Sequence, residues 1–243
     1  MTTATTMTTT SAQALLRLLQ LTSPALPVGA YSYSEGLETL VEQRAIATPK
    51  DMVAWLEQEL ASGMVAIDSA AVGLIYKAAT HGGLDSTGEP ANGEAIAAIN
   101  HELSALRDSE ETRQQSLAMG RSLVRMATHL HPDLKPWFSA AGNPCNFAVA
   151  FALVAARWEI DGRSAVLGYL HSWAANLITS AVKLVPLGQT VGQEMLLGLY
   201  PALEAAGDRA LSTQALDEIS LSSWGTSLAT MQHEALYTRL FRS

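Results

Sequence analysis

Thr48-Pro-Lys-Asp-Met-Val-Ala-Trp-Leu-Glu-Gln-Glu-Leu60 begins as a helix begins and continues as a helix continues. Thr48 is a capping side chain, and Pro49 suits a first turn because its missing N–H would have no partner there. Asp51 puts a negative charge near the positive end of the helix dipole. Met52, Trp55, Leu56 and Leu60 then recur three or four apart and line one face. The same spacing appears nearly everywhere else in the chain, while alternating β-branched strand patterns are almost absent, so the fold class is all-α.

Working outward, Leu15, Leu16, Leu18 and Leu19 start a short helix. It must stop before Pro24, since proline disfavours helical geometry in the residue before it. A loop follows to about Tyr33. Beyond the opening helix, another runs through Val72, Leu74, Ile75 and Tyr76 and ends at Gly82 and Gly83. The Gly-, Asp-, Ser- and Pro-containing stretch up to Gly93 reads as a surface loop. Further helices are expected over Ile96 to Leu106, Glu111 to Leu130, Pro144 to Trp158, Ser164 to Leu184 and Gln189 to Ala206, with a last one from about Ser223 to the end. No internal repeat or long linker divides the chain. Residues 11–243 should therefore form one bundle-like domain of about ten helices, after a disordered Thr-rich tail over residues 1–10.

Composition narrows the function classes. With 243 residues, 48% of them hydrophobic and 16% charged, the chain can bury a core without disulfides and is too apolar for disorder. The longest uncharged apolar run, Ala148 to Ala156, is far shorter than the roughly 20 residues that cross a bilayer, so no membrane role is expected. Met1 to Thr10 lacks the basic start and apolar middle of a secretory signal, and Cys145 is the single cysteine; both suit a cytoplasmic protein. A net charge of −8 argues against nucleic acid, whose phosphates need lysines and arginines gathered on one face.

Catalytic patterns are missing. There is neither a glycine-lysine phosphate loop nor a dinucleotide fingerprint. Ser32 and Ser34 stand near Gly29 and Gly36 with the wrong spacing for a hydrolase nucleophile, which leaves them turn and cap roles. Carboxylates are expected to be scattered over helical surfaces, with no apolar pocket around any pair. His129 and His131, with Cys145 further on, are the weak metal candidates, and no third ligand is indicated. No catalytic residue, cofactor or metal is assigned, and the chain is read as a non-enzyme.

Three segments resist a bland reading. Ser23-Pro-Ala-Leu-Pro-Val-Gly-Ala-Tyr-Ser-Tyr-Ser-Glu-Gly-Leu-Glu38 is a loop that carries Leu26, Val28, Tyr31 and Tyr33, so it must be covered by this chain or by another. At the other end, Met231-Gln-His-Glu-Ala-Leu-Tyr-Thr-Arg-Leu-Phe-Arg-Ser243 crowds Leu236, Tyr237, Leu240 and Phe241 beside Arg239 and Arg242. Chain ends normally fray, and these residue types are enriched at interfaces, which points to a partner surface. In the third segment Lys183 sits among apolar residues before Pro186, where a cation either reaches to water or meets an acidic partner. Gly188 and Gly192, four apart, would place two bare patches on one helical face for close packing.

On these residues the sequence resembles the UreF family of urease accessory proteins. The resemblance rests on the Ser23 to Glu38 run, on Val185-Pro-Leu-Gly-Gln189 after Lys183, and on the ending at His233-Glu234 and Tyr237 to Ser243. It extends through Glu110 to Gly120 and Tyr169 to Lys183 and leaves out only the Thr-rich start and the Gly82 to Gly93 loop. It implies an all-α homodimer that bridges a UreD protein, also called UreH, and the GTPase UreG on urease apoprotein for nickel insertion. By the same resemblance the segment with His233, Glu234, Tyr237, Arg239, Leu240, Phe241 and Arg242 would grip the UreD-like partner. Tyr31 and Lys183 would face the dimer or the GTPase. An activating arginine from Arg113, Arg121 or Arg125 is the alternative role, and an unrelated ligand-binding bundle is the third. Gln232 departs from the arginine common before the His-Glu pair, Ala235 and Leu236 are less polar than the family pattern, and Glu35 is given nothing beyond a helix-start acid.

Overall fold

A computed structural model describes residues 11–86, 88–233, 236 and 239–242. Among them are twelve α-helices: α1 (Ala12–Leu21), α2 (Leu37–Glu42), α3 (Pro49–Ser62), α4 (Met64–Gly82), α5 (Gly93–Ala105), α6 (Glu110–Leu130), α7 (Lys135–Ala141), α8 (Phe147–Arg157), α9 (Gly162–Leu184), α10 (Gln189–Gly198), α11 (Tyr200–Ser212) and α12 (Trp224–His233). No strand occurs among the described residues, and the fold is all-α. The expected Thr-rich tail over residues 1–10 lies outside them.

Capping chemistry sets the helix starts that the sequence announces. At α3 the Asp51 N–H donates to Thr48 Oγ1 and the Thr48 N–H donates back to the Asp51 carboxylate, which closes a capping box. Ser11, Ser109 and Asp161 cap α1, α6 and α9 through their side-chain oxygens. Other boundaries differ from expectation. The stretch from Gln189 onward is two helices, because Gly198 ends one and Pro201 falls in the first turn of the next, where it has no N–H to continue the ladder. Pro144 precedes rather than begins α8: Asn146 is the cap position, but its Oδ1 accepts from the Ser116 hydroxyl at 2.9 Å and its amide donates to Asn100 and Ser104. The last helix is described over Trp224–His233, and residues 236 and 239–242 are not helical, so it does not run on to the chain end as expected. Helices α2 and α7 have too few turns for a periodic signal to stand out.

The core is one continuous cluster centred on α4, α8 and α9. Helix α8 is apolar on every side, and Ala148 through Ala155 are all buried between α4 and α6. Small residues allow the closest approaches. A Cβ on Gly120 of α6 would overlap the carbonyl oxygen of Cys145, so only glycine lets α6 lie against the entry to α8. Of the two glycines expected to share a face, only Gly192 packs closely, against Val182 and Ile178 of α9, while Gly188 is the cap residue of α10 in open space. Among the described residues no single helix is long and apolar enough to cross a membrane; α3 and α4 together meet that test only across a 46° bend.

Candidate functional site

The apolar loop after α1 is covered by its own chain. Leu26, Val28 and Tyr33 are buried, and Asn176 of α9 donates to the carbonyls of Ala30 (3.1 Å) and Tyr33 (3.4 Å), so the loop backbone is satisfied as well. Ser32 closes a turn by donating to the Gly29 carbonyl at 2.7 Å, in line with its expected turn role. Tyr31 points outward and is 65% exposed.

Onto this loop the chain end folds back. The Arg242 N–H donates to the Ser32 carbonyl at 2.8 Å, and the Leu240 and Phe241 N–H groups donate to the Glu38 carboxylate at 2.6 and 3.0 Å. Phe241 is buried, with the Lys183 ammonium 5.6 Å from its ring centroid, so the lone lysine of the third segment sits over an aromatic face. Leu240 remains 62% exposed, and Arg239, Arg242 and Lys183 are exposed as well, with Arg239 3.6 Å from Glu111. Thus Tyr31, Lys183, Arg239, Leu240, Phe241 and Arg242, distant in sequence, come to one place. His233 does not face outward: it is fully buried, with Nδ1 3.1 Å from Glu111 and Nε2 3.1 Å from Glu38. Glu234 and Tyr237 lie outside the described residues. Gln232 accepts from Gln43 at 2.7 Å and so ties α12 to the end of α2.

Beneath the loop lies a cavity of about 320 Å³ that corrects the expectation of scattered carboxylates. Glu35, Glu59, Asp68 and Arg107 all line it. Arg107 donates to Asp68 at 2.6 Å and the Tyr169 hydroxyl donates to the other Asp68 oxygen at 3.2 Å, forming a buried ion pair that spans α4 and the α5–α6 turn. Glu35 is no mere helix-start acid. Its backbone is left-handed (φ 53°), and its carboxylate accepts from Trp173 Nε1 at 2.9 Å and from Gln115 at 3.1 Å. Burial raises its pKa, against the opposing pull of Trp173. Burial also pushes Glu59 up to about 7; the Thr226 hydroxyl, which donates to it at 2.6 Å, only partly offsets this, and the Glu35 charge adds to it. Thr226 accepts in turn from Trp55 Nε1 at 2.8 Å, so this carboxylate holds α12 against α3. Burial works against the charge of Arg107, but the Asp68 charge and its hydrogen bond more than restore it.

One signal for this cluster was present in the sequence. Asp68 is a lone charge in the apolar run Met64 to Tyr76, and a charge there requires a partner. Its partner stands 39 residues away, which no spacing reveals.

The remaining candidates are dispersed. His129 is exposed, and His131 meets the edge of Trp158 with ring centroids 6.1 Å apart. Cys145 is buried, and burial pushes its thiol up to about 12, which disfavours the thiolate a metal would need. Among the described residues no group of three or more His, Cys, Asp or Glu is placed to hold a metal. Arg113 is occupied with Glu110 and with the carbonyls of Ser104 and Arg107, whereas Arg121 and Arg125 are exposed on α6. One feature went unnoticed in the sequence: Trp224, Leu228 and Met231, at helical spacing, form an exposed apolar stripe along α12.

Fold and site together define a helical protein with an assembled apolar and cationic face. The family model described as UreF matches residues 46–200. The chain is 49% identical to the urease accessory protein UreF of a Nostoc species, over 97% of this chain and 99% of that one. It is 44% identical to the UreF of a Synechocystis species over 96% and 99%, and 37% identical to that of an Azoarcus species over 94% and 95%. The chain belongs to the UreF family of urease accessory proteins.

Proposed function

We propose that the chain is a non-catalytic maturation scaffold that grips a UreD-like (UreH-like) protein and the GTPase UreG and brings them to urease apoprotein, where nickel is the cargo. The carrying observation is the surface on which the loop at Tyr31, Lys183 and the segment Arg239 to Arg242 meet, with exposed Tyr31 and Leu240 among three cations in a chain of net charge −8. Tyr and Arg are the residue types enriched at interfaces, and here exposed Tyr31 and the exposed arginines flanking Leu240 in sequence are brought together by the fold. The stripe of Trp224, Leu228 and Met231 extends the sticky area along α12. The scaffold acts as a homodimer, with the UreD-like partner on the carboxyl-terminal segment and UreG on the side of Tyr31 and Lys183.

Two measurements test this reading. A strain lacking the gene should make urease protein in normal amounts but without nickel, so normal metal content in urease purified from it would end the proposal. Removing Leu236 to Ser243 should abolish co-purification of the UreD-like protein. The truncation also costs stability, because it withdraws buried Phe241 and leaves Glu38 without two of its donors. Circular dichroism must therefore accompany the pull-down. Unchanged UreG turnover on addition of the wild-type chain separates the scaffold from an activating role.

A further inference from the structure

Helix α12 has its faces inverted. Its large apolar side chains, Trp224, Leu228 and Met231, are exposed, while the side turned inward offers hydroxyls: Thr226, Ser227 and Thr230 line the cavity. Of its ten residues only Ala229, Thr230 and His233 are buried, so little apolar area binds it to the rest of the fold. Polar tethers hold it instead, and most of them end on an acid. Thr226 donates to Glu59, Ser227 donates to Asp108, and His233 meets Glu38 and Glu111.

The Glu59 tether is the one whose surroundings make it sensitive to its own proton. Glu59 is 5% exposed, and Thr226 is the sole hydrogen-bond donor to its carboxyl among the described residues. Gly63, at the junction of α3 and α4, packs so closely that a Cβ there would overlap Glu59 Oε2. No cation pairs with it. Across the cavity stand Glu35 from the loop, Asp68 of α4 and, from the α5–α6 turn, Arg107 and Asp108, with Arg107 already engaged by Asp68. Tyr169 and His171 are the ionisable groups on the α9 wall. On α11, Arg209 donates to the Leu60 carbonyl at 3.1 Å and not to the carboxylate, and Glu204 and Asp208 are exposed. Glu194, the one charge on α10, is exposed too, as are Lys50 and Glu57 on α3 itself, where Asp51 is spent on the cap; α12 brings no ionisable group before His233. A charge on Glu59 therefore needs water, and Glu59 and Thr226 share a cavity wall, so lifting α12 lets water in.

We propose that α12 is a proton-controlled strap across the cavity, pinned while Glu59 keeps its proton and freed more often once Glu59 ionises. With the strap seated this carboxyl ionises at about 7; with the strap lifted it returns toward its ordinary 4.5. The seated state thus binds the proton more tightly, so rising pH favours the lifted state between those values and adds nothing above them. From pH 5 to pH 8 the lifted population should grow on the order of fiftyfold while the seated form stays in the majority. Near neutrality a small change in acidity then alters how often the cavity opens to solvent.

The test is native-state hydrogen exchange of the α12 amides in the full-length chain from pH 5 to pH 9, each rate divided by the intrinsic rate at that pH. In the wild type the corrected rate should climb on the order of fiftyfold to pH 8 and then level off, with unchanged helical content. Glu59→Gln should cut that climb at least tenfold, because only His233 and the acids tethered at the other positions of α12 remain to titrate. Thr226→Val should quicken exchange already at pH 5 and carry the climb to higher pH, since donation from Thr226 partly offsets burial; Thr226→Ser, which keeps the hydroxyl, should restore the wild-type profile. A flat wild-type profile, or an equal climb in Glu59→Gln, overturns the strap. So does a climb shared equally by the α8 amides, which would report unfolding of the whole molecule. If Glu59→Gln does not fold, a Thr226→Val profile identical to the wild type overturns it as well.

Discussion

Replacing Glu59 by glutamine should make the protein more stable at neutral and alkaline pH. In the unfolded chain this carboxyl ionises near its ordinary value of 4.5; in the fold it does so at about 7, because burial withholds water from the charge. Between those two values the unfolded state gives up its proton first, so rising pH favours unfolding. Below 4.5 the penalty is absent, and above 7 it is complete. The gap corresponds to about 3 kcal/mol at about 1.4 kcal/mol per pH unit. Glutamine cannot ionise, yet its amide oxygen can still accept from Thr226. The Glu59→Gln variant should therefore gain on the wild type by about 2–3 kcal/mol between pH 5 and pH 8, measured as the difference in urea unfolding free energy followed by circular dichroism. For a chain of this size that is a rise in melting temperature on the order of 5–10 °C at pH 8. Glu35, shifted the same way by its own burial, remains in both proteins, while the repulsion its charge exerts on Glu59 is part of the difference measured. A gap between the two proteins that stays constant from pH 5 to pH 8, or that moves against the variant as pH rises, would refute the placement of a neutral acid beside Thr226.

Other perturbations probe other parts of the fold. Arg107→Met leaves Asp68 buried with a charge and no cation, so it should cost about 3–5 kcal/mol in denaturant unfolding, whereas Arg157→Met at an exposed pair should cost no more than about 1 kcal/mol. Cys145 should resist iodoacetamide at pH 8 in the native protein and react fully in urea, as mass spectrometry would show. Gly120→Ala should destabilise by about 3 kcal/mol or more, because the contact it meets is backbone that cannot swing aside, while Gly188→Ala should be close to neutral.

The helices were legible where periodic apolar residues ran for several turns and a cap marked the start, as at Thr48 and Ser109. They were illegible where a short element is held by tertiary contact alone, as α2 is by α12 and α7 by α5. The sticky loop and chain end stood out because apolar residues occupied places that are usually polar. That they would largely cover each other could not be read, since Glu38 and Leu240 are 202 residues apart and nothing local couples them. The cavity failed to show for a related reason. Glu35, Glu59, Asp68 and Arg107 come from four separate stretches, and each looks ordinary until its exposure is known. Buried polar clusters are written in the packing of elements, whereas helices are written in neighbouring residues.

The pairing of α2 with residues 233–241 also bears on how the protein is made. Glu38 leaves the ribosome roughly two hundred residues before its donors, and closing so long a loop must wait for nearly the whole chain. The amino-terminal helices thus spend most of synthesis with one seat vacant. A product cut short anywhere before Leu240 would be missing the backbone that fills that seat.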